Sequence, residues 1–481
     1  VGPKVIRVQA ARNGEYRHHE SSSRVPYGEP VSVRQEESVQ QINLIAEHFG
    51  VRVLLNPFRL EILDSLGSML QDDASDGGLV WDGSRFECRK QILGDEHFYG
   101  LGEKAHGLDK KGLYFEMWNT DNGDYDSTSD PLYQSIPFFI VLNRGIAFGV
   151  FLDNTYRTEF DFGHQDPDIY SFGAPDGPLD YYILIGPKIV DIIDEYTLLT
   201  GRPCFIPRWG LGYQQSRFMT YENEDDILSI GRELRNRRIP CDTLVLDIEY
   251  MDEYRVFTWN PKVFPDPKAF TAKLAKMGFK TMTIIDPGVK LENGFSMYDE
   301  GMEAGHFLKK KDGSTYVGLV WPGETVFPDF SRSEVRAWFG SKYGALAESG
   351  TSNSSWIDMN EPSNCIYDGL KADYSMTDVL DGEGNLWEPS LHNVYALGMA
   401  DAVFNGLRKA FPKKRPFILT RSGFAGYQRY AASWTGDNHS TWPMLWLSIP
   451  MLLGLGLSGV PFCGADVGGF GGDTTPELLA R

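Results

Sequence analysis

Two acidic residues, Asp358 in SSWIDMNEPS and Asp437 in SWTGDN, each follow a short apolar run that carries a tryptophan. An aspartate at the carboxyl end of a barrel strand projects toward a pocket that all the strands reach. Two of them on different strands can face each other across a sugar ring. Glycoside hydrolysis needs that pair, one group to attack or assist and the other to protonate the leaving oxygen. Aromatic walls such as Trp356 and Trp434 would desolvate the acid and hold it protonated near neutral pH. Residue type alone does not establish this, because an aspartate is more often a cap, an ion-pair partner or a surface group. The pair needs an architecture to place it.

The chain changes character near residue 205. Before it come short β-type runs separated by turn signals: FYGLGE, GLYFEMWN, IPFFIVLN, GIAFGVFLDN and LDYYILIG. Residues 1–204 therefore read as an antiparallel β-sandwich. After Pro207, seven strand-like runs (LGYQQS, TLVLDIEYM, KTMTIIDPGV, SSWIDMNEPS, PFILTRS, AASWTGDN and VPFCGADVGGF) alternate with helical stretches such as EDDILSIGRELRNRR and PKAFTAKLAKMG. That alternation predicts an α/β domain over 205–481, a (β/α)8 TIM barrel with polar residues at its strand ends. A doubly wound sheet would need a phosphate-binding glycine loop after its first strand, which GLGYQQSRF does not supply. Seven strands leave a barrel open, so the eighth is expected on a C-terminal portion beyond Arg481 or on a separate chain. An irregular excursion rich in Gly, Asp and Ser is expected at about 364–388, either a variable surface loop or a pocket rim.

Composition narrows the partners. The chain has 481 residues, 42% hydrophobic and 23% charged, as an ordinary globular protein does, and its length asks for two or more domains. A net charge of −20 argues against nucleic acid and anionic membranes, both of which would repel it. The apolar stretch Met444–Phe462 is long enough to span a bilayer, but Pro450, Gly454, Gly456, Gly459 and Pro461 interrupt it. A buried helix followed by a buried strand is expected there instead. Five scattered cysteines, Cys88, Cys204, Cys241, Cys365 and Cys463, contain no CxxC and read as buried free thiols. His18 and His19 read as solvated surface. No metal-ligand cluster such as HExxH occurs, and the compartment stays open.

With its context included, the pair becomes specific. WIDMNEPS with SWTGDN resembles glycoside hydrolase family 31, the α-glucosidase and α-xylosidase family. The resemblance runs through FYGLGEK, WNTDN, LDIEYMD, IIDPGV, VWPGETVFPDF, ILTRSGFAG and GADVGGF, nearly the whole chain. It implies Asp358 as nucleophile and Asp437 as acid/base. It also implies that Asp247 and Asp121 bind sugar hydroxyls and that Arg421 orients carboxylates and hydroxyls. Trp321, Trp356, Trp434, Phe470 and Phe218 would line the pocket, with Ile248, Ile284, Asp286 and Met359 completing its walls. The implied activity is retaining, exo-acting removal of terminal α-linked glucose from oligosaccharides, with no cofactor and no metal. An α-xylosidase, an α-glucosyltransferase or a non-catalytic glycan-binding homologue are the rivals. Three departures stand out: Phe218 replaces a tyrosine common in the family, ESGTSNSS before the nucleophile strand is unusually polar, and no position matches the family's strand-eight pocket histidine.

Overall fold

A computed structural model describes residues 2–14, 20–28, 31–219, 221–364 and 376–481. His18, His19, Cys365 and residues 365–375 of the expected excursion lie outside these residues.

The aromatic runs of the N-terminal part do become strands. One antiparallel sheet joins Val5–Ala10, Leu179–Ile185, Ile146–Leu152, Phe138–Asn143 and Glu96–Gly100; a second joins Tyr114–Met117, Thr158–Phe162, Ile169–Ala174, Arg85–Gln91 and Leu79–Asp82. Period-2 alternation decides what each face covers. Phe139 and Val141 pack into the sandwich core with Phe98, Phe162 and Tyr170, while Phe138 and Ile140 face the other way into a core shared with the barrel. There Phe138 stacks on Tyr196 of the helix Ile189–Thr200 at 3.9 Å between ring centres. A further five-stranded meander, from Arg34–Glu37 to Met69–Asp72, was not signalled by the sequence.

All seven strand-like runs of the second half form strands of one parallel sheet, in chain order: Gln214–Gln215, Thr243–Leu246, Lys280–Ile285, Ser354–Ile357, Phe417–Thr420, Ala432–Trp434 and Cys463–Gly464. A doubly wound sheet reverses its order at a switch point; this one never does, which is the progression of a barrel wall. The first and seventh strands are its edges among the described residues. Inside, Ile206, Val245, Met282, Phe417 and Ala432 fill the centre with Trp356 and Leu419. The helices start where their sequence says they should. Asn223 accepts from the Asp225 and Asp226 N–H groups in a capping box ahead of Glu224–Asn236, and Asp266 accepts from Ala269 N–H ahead of Pro267–Lys276.

Two expectations need correction. Met444–Phe462 is not a buried helix followed by a buried strand. The helix Trp442–Leu457 buries Met444, Leu447, Met451 and Leu455 on one flank, but Trp446 is 76% exposed and Ile449 and Leu453 are each 50% exposed. Nothing among the described residues packs on that second flank, and apolar composition by itself does not say which flank is covered. The strand comes later, at half-buried Cys463–Gly464. No helix among the described residues is long and apolar enough to cross a membrane. Of the cysteines, Cys88 and Cys241 are buried, whereas Cys204, in the irregular link after the helix Ile189–Thr200, and Cys463, on the edge strand, are only half-buried.

Candidate active site

The polar residues singled out in the sequence collect at one end of the sheet. Asp247 follows the second strand directly, Asp286 the third, Asp358 the fourth and Arg421 the fifth, while Asp437 lies three places beyond the sixth. These are all carboxyl ends, where βα loops build a pocket. Asp121 arrives from the N-terminal part, on the loop after Tyr114–Met117.

Arg421 is the centre of the cluster. Its side chain is 2% exposed, and its fork meets four carboxylates. Nε lies 3.0 Å from Asp358 Oδ1 and 2.9 Å from Glu361 Oε1; Nη2 donates to Glu361 Oε2 at 2.9 Å and approaches Asp121 Oδ2 at 3.2 Å; Nη1 donates to Asp437 Oδ2 at 3.4 Å. The guanidinium also lies over the Tyr133 ring, 4.9 Å from its centre, and Nη2 is 3.2 Å from Met359 Sδ. A lysine could not make these contacts, because a point charge has no planar fork.

Backbone geometry holds the two aspartates. Met359 sits at φ 57°, a left-handed conformation that costs a bulky residue free energy and is typical of functional turns. It turns the chain so that Met359 N–H donates to Asp358 Oδ1 at 2.8 Å. Gly436, at φ +64°, lies against Tyr133, where an added Cβ would come within 2.2 Å of the ring. Only glycine permits that approach. It places the Asp437 N–H 3.3 Å from the Tyr133 hydroxyl.

Burial governs the protonation of this cluster. It raises the carboxyl pKa values of both Asp358 and Asp437; Arg421 opposes both shifts, and the Asp437 charge raises Asp358 further. Desolvation brings Asp286 to about 7 and lifts Asp247 well above the usual carboxylate range. Asp286 Oδ1 and the Trp356 indole N–H are both buried without a hydrogen-bond partner. Asp247 caps the turn Ile248–Tyr250 by accepting from Ile248 N–H at 2.8 Å.

The aromatic residues form two groups. Trp356 and Trp434 meet edge-to-face at 5.7 Å, each on the strand that leads to one of the two aspartates. Phe218 contacts both Trp321, at 5.8 Å, and Phe470, at 5.7 Å; Phe218 and Phe470 are 36% and 43% exposed. Ile248 and Ile284 are 1% exposed and belong to the large core cluster. Among the described residues, no group of three or more His, Cys, Asp or Glu side chains is placed to hold a metal ion. A cavity of about 440 Å³ lies at the opposite, N-terminal end of the strands, between Trp209, Lys280, Ser352 and Arg415, and contains none of the site residues.

The structure adds residues that the sequence did not single out. Glu361 is 1% exposed and takes both arms of Arg421; it stands three places after Asp358 in the same motif. Ser363 donates a hydrogen bond to Asp121 Oδ2. Asp466, in GADVGGF, is raised to about 7 by burial and by the charge of Asp437. Glu103, in FYGLGEK, is fully buried, and desolvation raises it to about 8. Asn438 and Asn353, by contrast, were marked in the sequence as heading its two Asn-x-Ser runs. Asn438, next to Asp437, is 5% exposed; its Nδ2 donates to the Asp466 carbonyl at 3.2 Å and its Oδ1 accepts from Phe470 N–H at 3.2 Å. Asn353, also 5% exposed, donates to the Arg415 carbonyl.

Comparison with known proteins identifies the family. Residues 203–481 match the glycosyl hydrolases family 31 TIM-barrel domain, and residues 1–161 match the glycosyl hydrolase 31 N-terminal galactose mutarotase-like domain. The chain belongs to glycosyl hydrolase family 31. It is 41% identical over 479 residues to alpha-glucosidase 2 of Bacillus thermoamyloliquefaciens, covering 99% of this chain and 60% of that protein. An alpha-glucosidase of Saccharolobus solfataricus is 36% identical over 418 residues, covering 83% of this chain and 60% of its own length. Among solved structures, a family 31 dextranase of Flavobacterium johnsoniae in complex with glucose superposes with a TM-score of 0.92 at 33% identity, covering all of this chain and 60% of the dextranase. The chain thus spans about 60% of the length of these relatives.

Proposed function

We propose that the protein is a retaining, exo-acting α-glucosidase, with Asp358 as nucleophile and Asp437 as general acid/base. The observation that carries this reading is one buried arginine contacting both aspartates from different strand ends. Asp358 has the shorter contact with Arg421 and a backbone N–H, both of which favour its anion; Asp437 has the longer contact and a side chain that is 26% exposed. Like charges resist double ionisation, so the pair shares one proton. Burial and the Asp437 charge raise Asp358, its Arg421 and N–H contacts favour its anion, and the acid/base role needs the proton on Asp437 when the leaving oxygen is bound. Asp358 then attacks the anomeric carbon as Asp437 protonates the leaving oxygen, giving a covalent glycosyl–enzyme. Asp437 next takes a proton from water, whose oxygen displaces Asp358 and leaves the α configuration intact. The retaining route calls for carboxyl groups about 5–5.5 Å apart in the substrate complex.

The remaining groups suit a terminal glucose. Asp247, Asp286, Asp121 and Arg421 would bind hydroxyls, and Trp356 and Trp434 would cover ring faces, with Phe218, Trp321 and Phe470 at the mouth. Residues 1–204 and 205–481 serve as two domains in this reading, the first lending Asp121 to the second. α-Glucosidase names among the relatives, and a family 31 dextranase solved with isomaltotriose, favour maltose-like or isomaltose-like substrates. Initial rates on aryl α-glucoside are expected to exceed those on aryl α-xyloside by at least tenfold; the reverse preference would make the protein an α-xylosidase. One hydroxymethyl group in a fitted pocket discriminates by about 10–200-fold.

The acid/base role has its own signature. Asp437→Ala should slow natural disaccharides by roughly 10²–10⁴-fold and activated aryl glucosides much less, since good leaving groups need no proton. Added azide should speed the variant and yield α-glucosyl azide, because the anion intercepts the intermediate without needing a base. Recovery of β-glucosyl azide would exclude the assignment.

A further inference from the structure

We infer that His392 and Asn393, at the start of the barrel helix Tyr395–Ala410, are positioning residues that lock the Asp121 loop into the sugar site. The inference rests on the substrate-binding reading of Asp121. The loop 118–122 leaves the N-terminal sheet at Met117 and has no regular structure of its own. Asp121 nevertheless lies 3.2 Å from Arg421 and accepts from Ser363, and the next residues run against the proposed acid: a Cβ on Gly123 would stand 3.7 Å from Asp437 Oδ2, and His439 Nε2 is 3.1 Å from Asp124 Oδ1. A loop carrying a ligand group this close to the reacting bonds needs a rigid anchor.

The anchor is supplied from the other domain. Asn393 is fully buried, and its amide is used completely. Its Oδ1 accepts from Asn119 N–H at 2.9 Å, and its Nδ2 is within 3.1 Å of Met117 O and 3.2 Å of both Thr155 O and Tyr156 O. Asn119 Nδ2 returns a bond to Asn393 O at 3.0 Å. His392 Nε2 lies 2.8 Å from Asn119 O, and its ring stacks on Trp118 at 4.0 Å with 4° between planes. Burial lowers the His392 pKa to about 4, so the imidazole is neutral and Nε2 carries the proton that Asn119 O accepts. The Arg157 guanidinium lies over the same Trp118 ring, 5.8 Å from its centre. Every backbone polar group of Asn119 is thereby committed to the barrel, two residues before Asp121. None of these contacts includes a reacting group, so the pair acts through the loop that carries Asp121.

A kinetic cycle on the complete protein tests this, with hydrogen–deuterium exchange as a readout independent of turnover. Asn393→Ala should raise KM for aryl α-glucoside roughly tenfold with kcat changed less than about threefold, the pattern of lost ground-state binding. In an Asp121→Asn background the same change should add less than about twofold, because the ligand group it positions is already gone. His392→Gln, which keeps a donor for Asn119 O, should retain more of the affinity than His392→Ala. Amides 118–122 should exchange faster in Asn393→Ala while strand 114–117 stays protected. KM effects that multiply across the cycle, or unchanged exchange at 118–122, would overturn the inference. A wild-type protein without α-glucosidase activity would count against the functional proposal, and exchange at 118–122 would then decide for or against the lock by itself.

Discussion

Asp358→Ala is expected to lower kcat on α-glucosides by on the order of 10⁴-fold or more, with the fold intact, because a covalent route loses its nucleophile. Burial supports the size of the effect. Asp358 has an 11% exposed side chain at the end of a strand whose neighbours on both sides also end in site residues, Asp286 and Arg421. Stability should change little, since the substitution removes one of four carboxylates from a guanidinium that keeps Glu361. The stereochemistry of rescue separates this role from that of Asp437. Azide entering the space left by Asp358 attacks from the nucleophile's face and should give β-glucosyl azide, opposite to the product of Asp437→Ala. Substantial residual turnover in Asp358→Ala, or an α-azide from it, would refute the nucleophile assignment.

Arg421→Ala should combine loss of activity with the largest loss of stability. Breaking a buried ion pair by deleting one partner costs about 3–5 kcal/mol, because the survivor remains charged in a dry place. Here the survivors are Glu361 at 1% exposure and Asp358, with Asp121 and Asp437 beside them. The pH dependence has a definite sign. Without Arg421 the folded pKa values of Glu361 and Asp358 rise further above their unfolded value of about 4. Between the two values the native state then binds more protons than the unfolded chain, so stability falls as pH rises. The melting-temperature gap between wild type and Arg421→Ala should therefore be widest near pH 8 and narrow toward pH 5. Adding Glu361→Gln should recover part of the gap by removing one buried charge. A gap that is flat with pH, or a double variant less stable than the single, would contradict the charge argument.

How far the sequence could be read depended on the range of each signal. Asp358 was legible because a strand followed by an acid is a local pattern, and the parallel sheet turns that pattern into a location; Asp247 and Asp286 came only with the family resemblance. Asp437 needed one more step, since Gly436 carries the chain past the strand end. Glu361 was hidden in plain view: it lies in WIDMNEPS, but its partner Arg421 is 60 residues away and no spacing rule links them. Tyr133, His392 and Asn393 had no local signal at all, because their contacts join the two halves of the chain. The meander over 34–72 escaped notice for a different reason. Its first strand, RQEE, is exposed throughout, so no inside–outside alternation marks it. The long apolar helix was legible as a helix, but which flank would be covered was not, because composition carries no orientation.

The two Asn-x-Ser sequences bear on how the protein can be made. Asn353 and Asn438 are nearly inaccessible, and each side-chain amide is already engaged with a backbone carbonyl. An oligosaccharide transferred during secretion reaches its acceptor before the chain has compacted. At Asn353 such a graft would have to be accommodated where the fourth barrel strand begins, and at Asn438 beside the acid. Yield from a eukaryotic secretory host should therefore be limited by the fraction of chains that escape modification, and a bacterial cytosolic host avoids the conflict altogether.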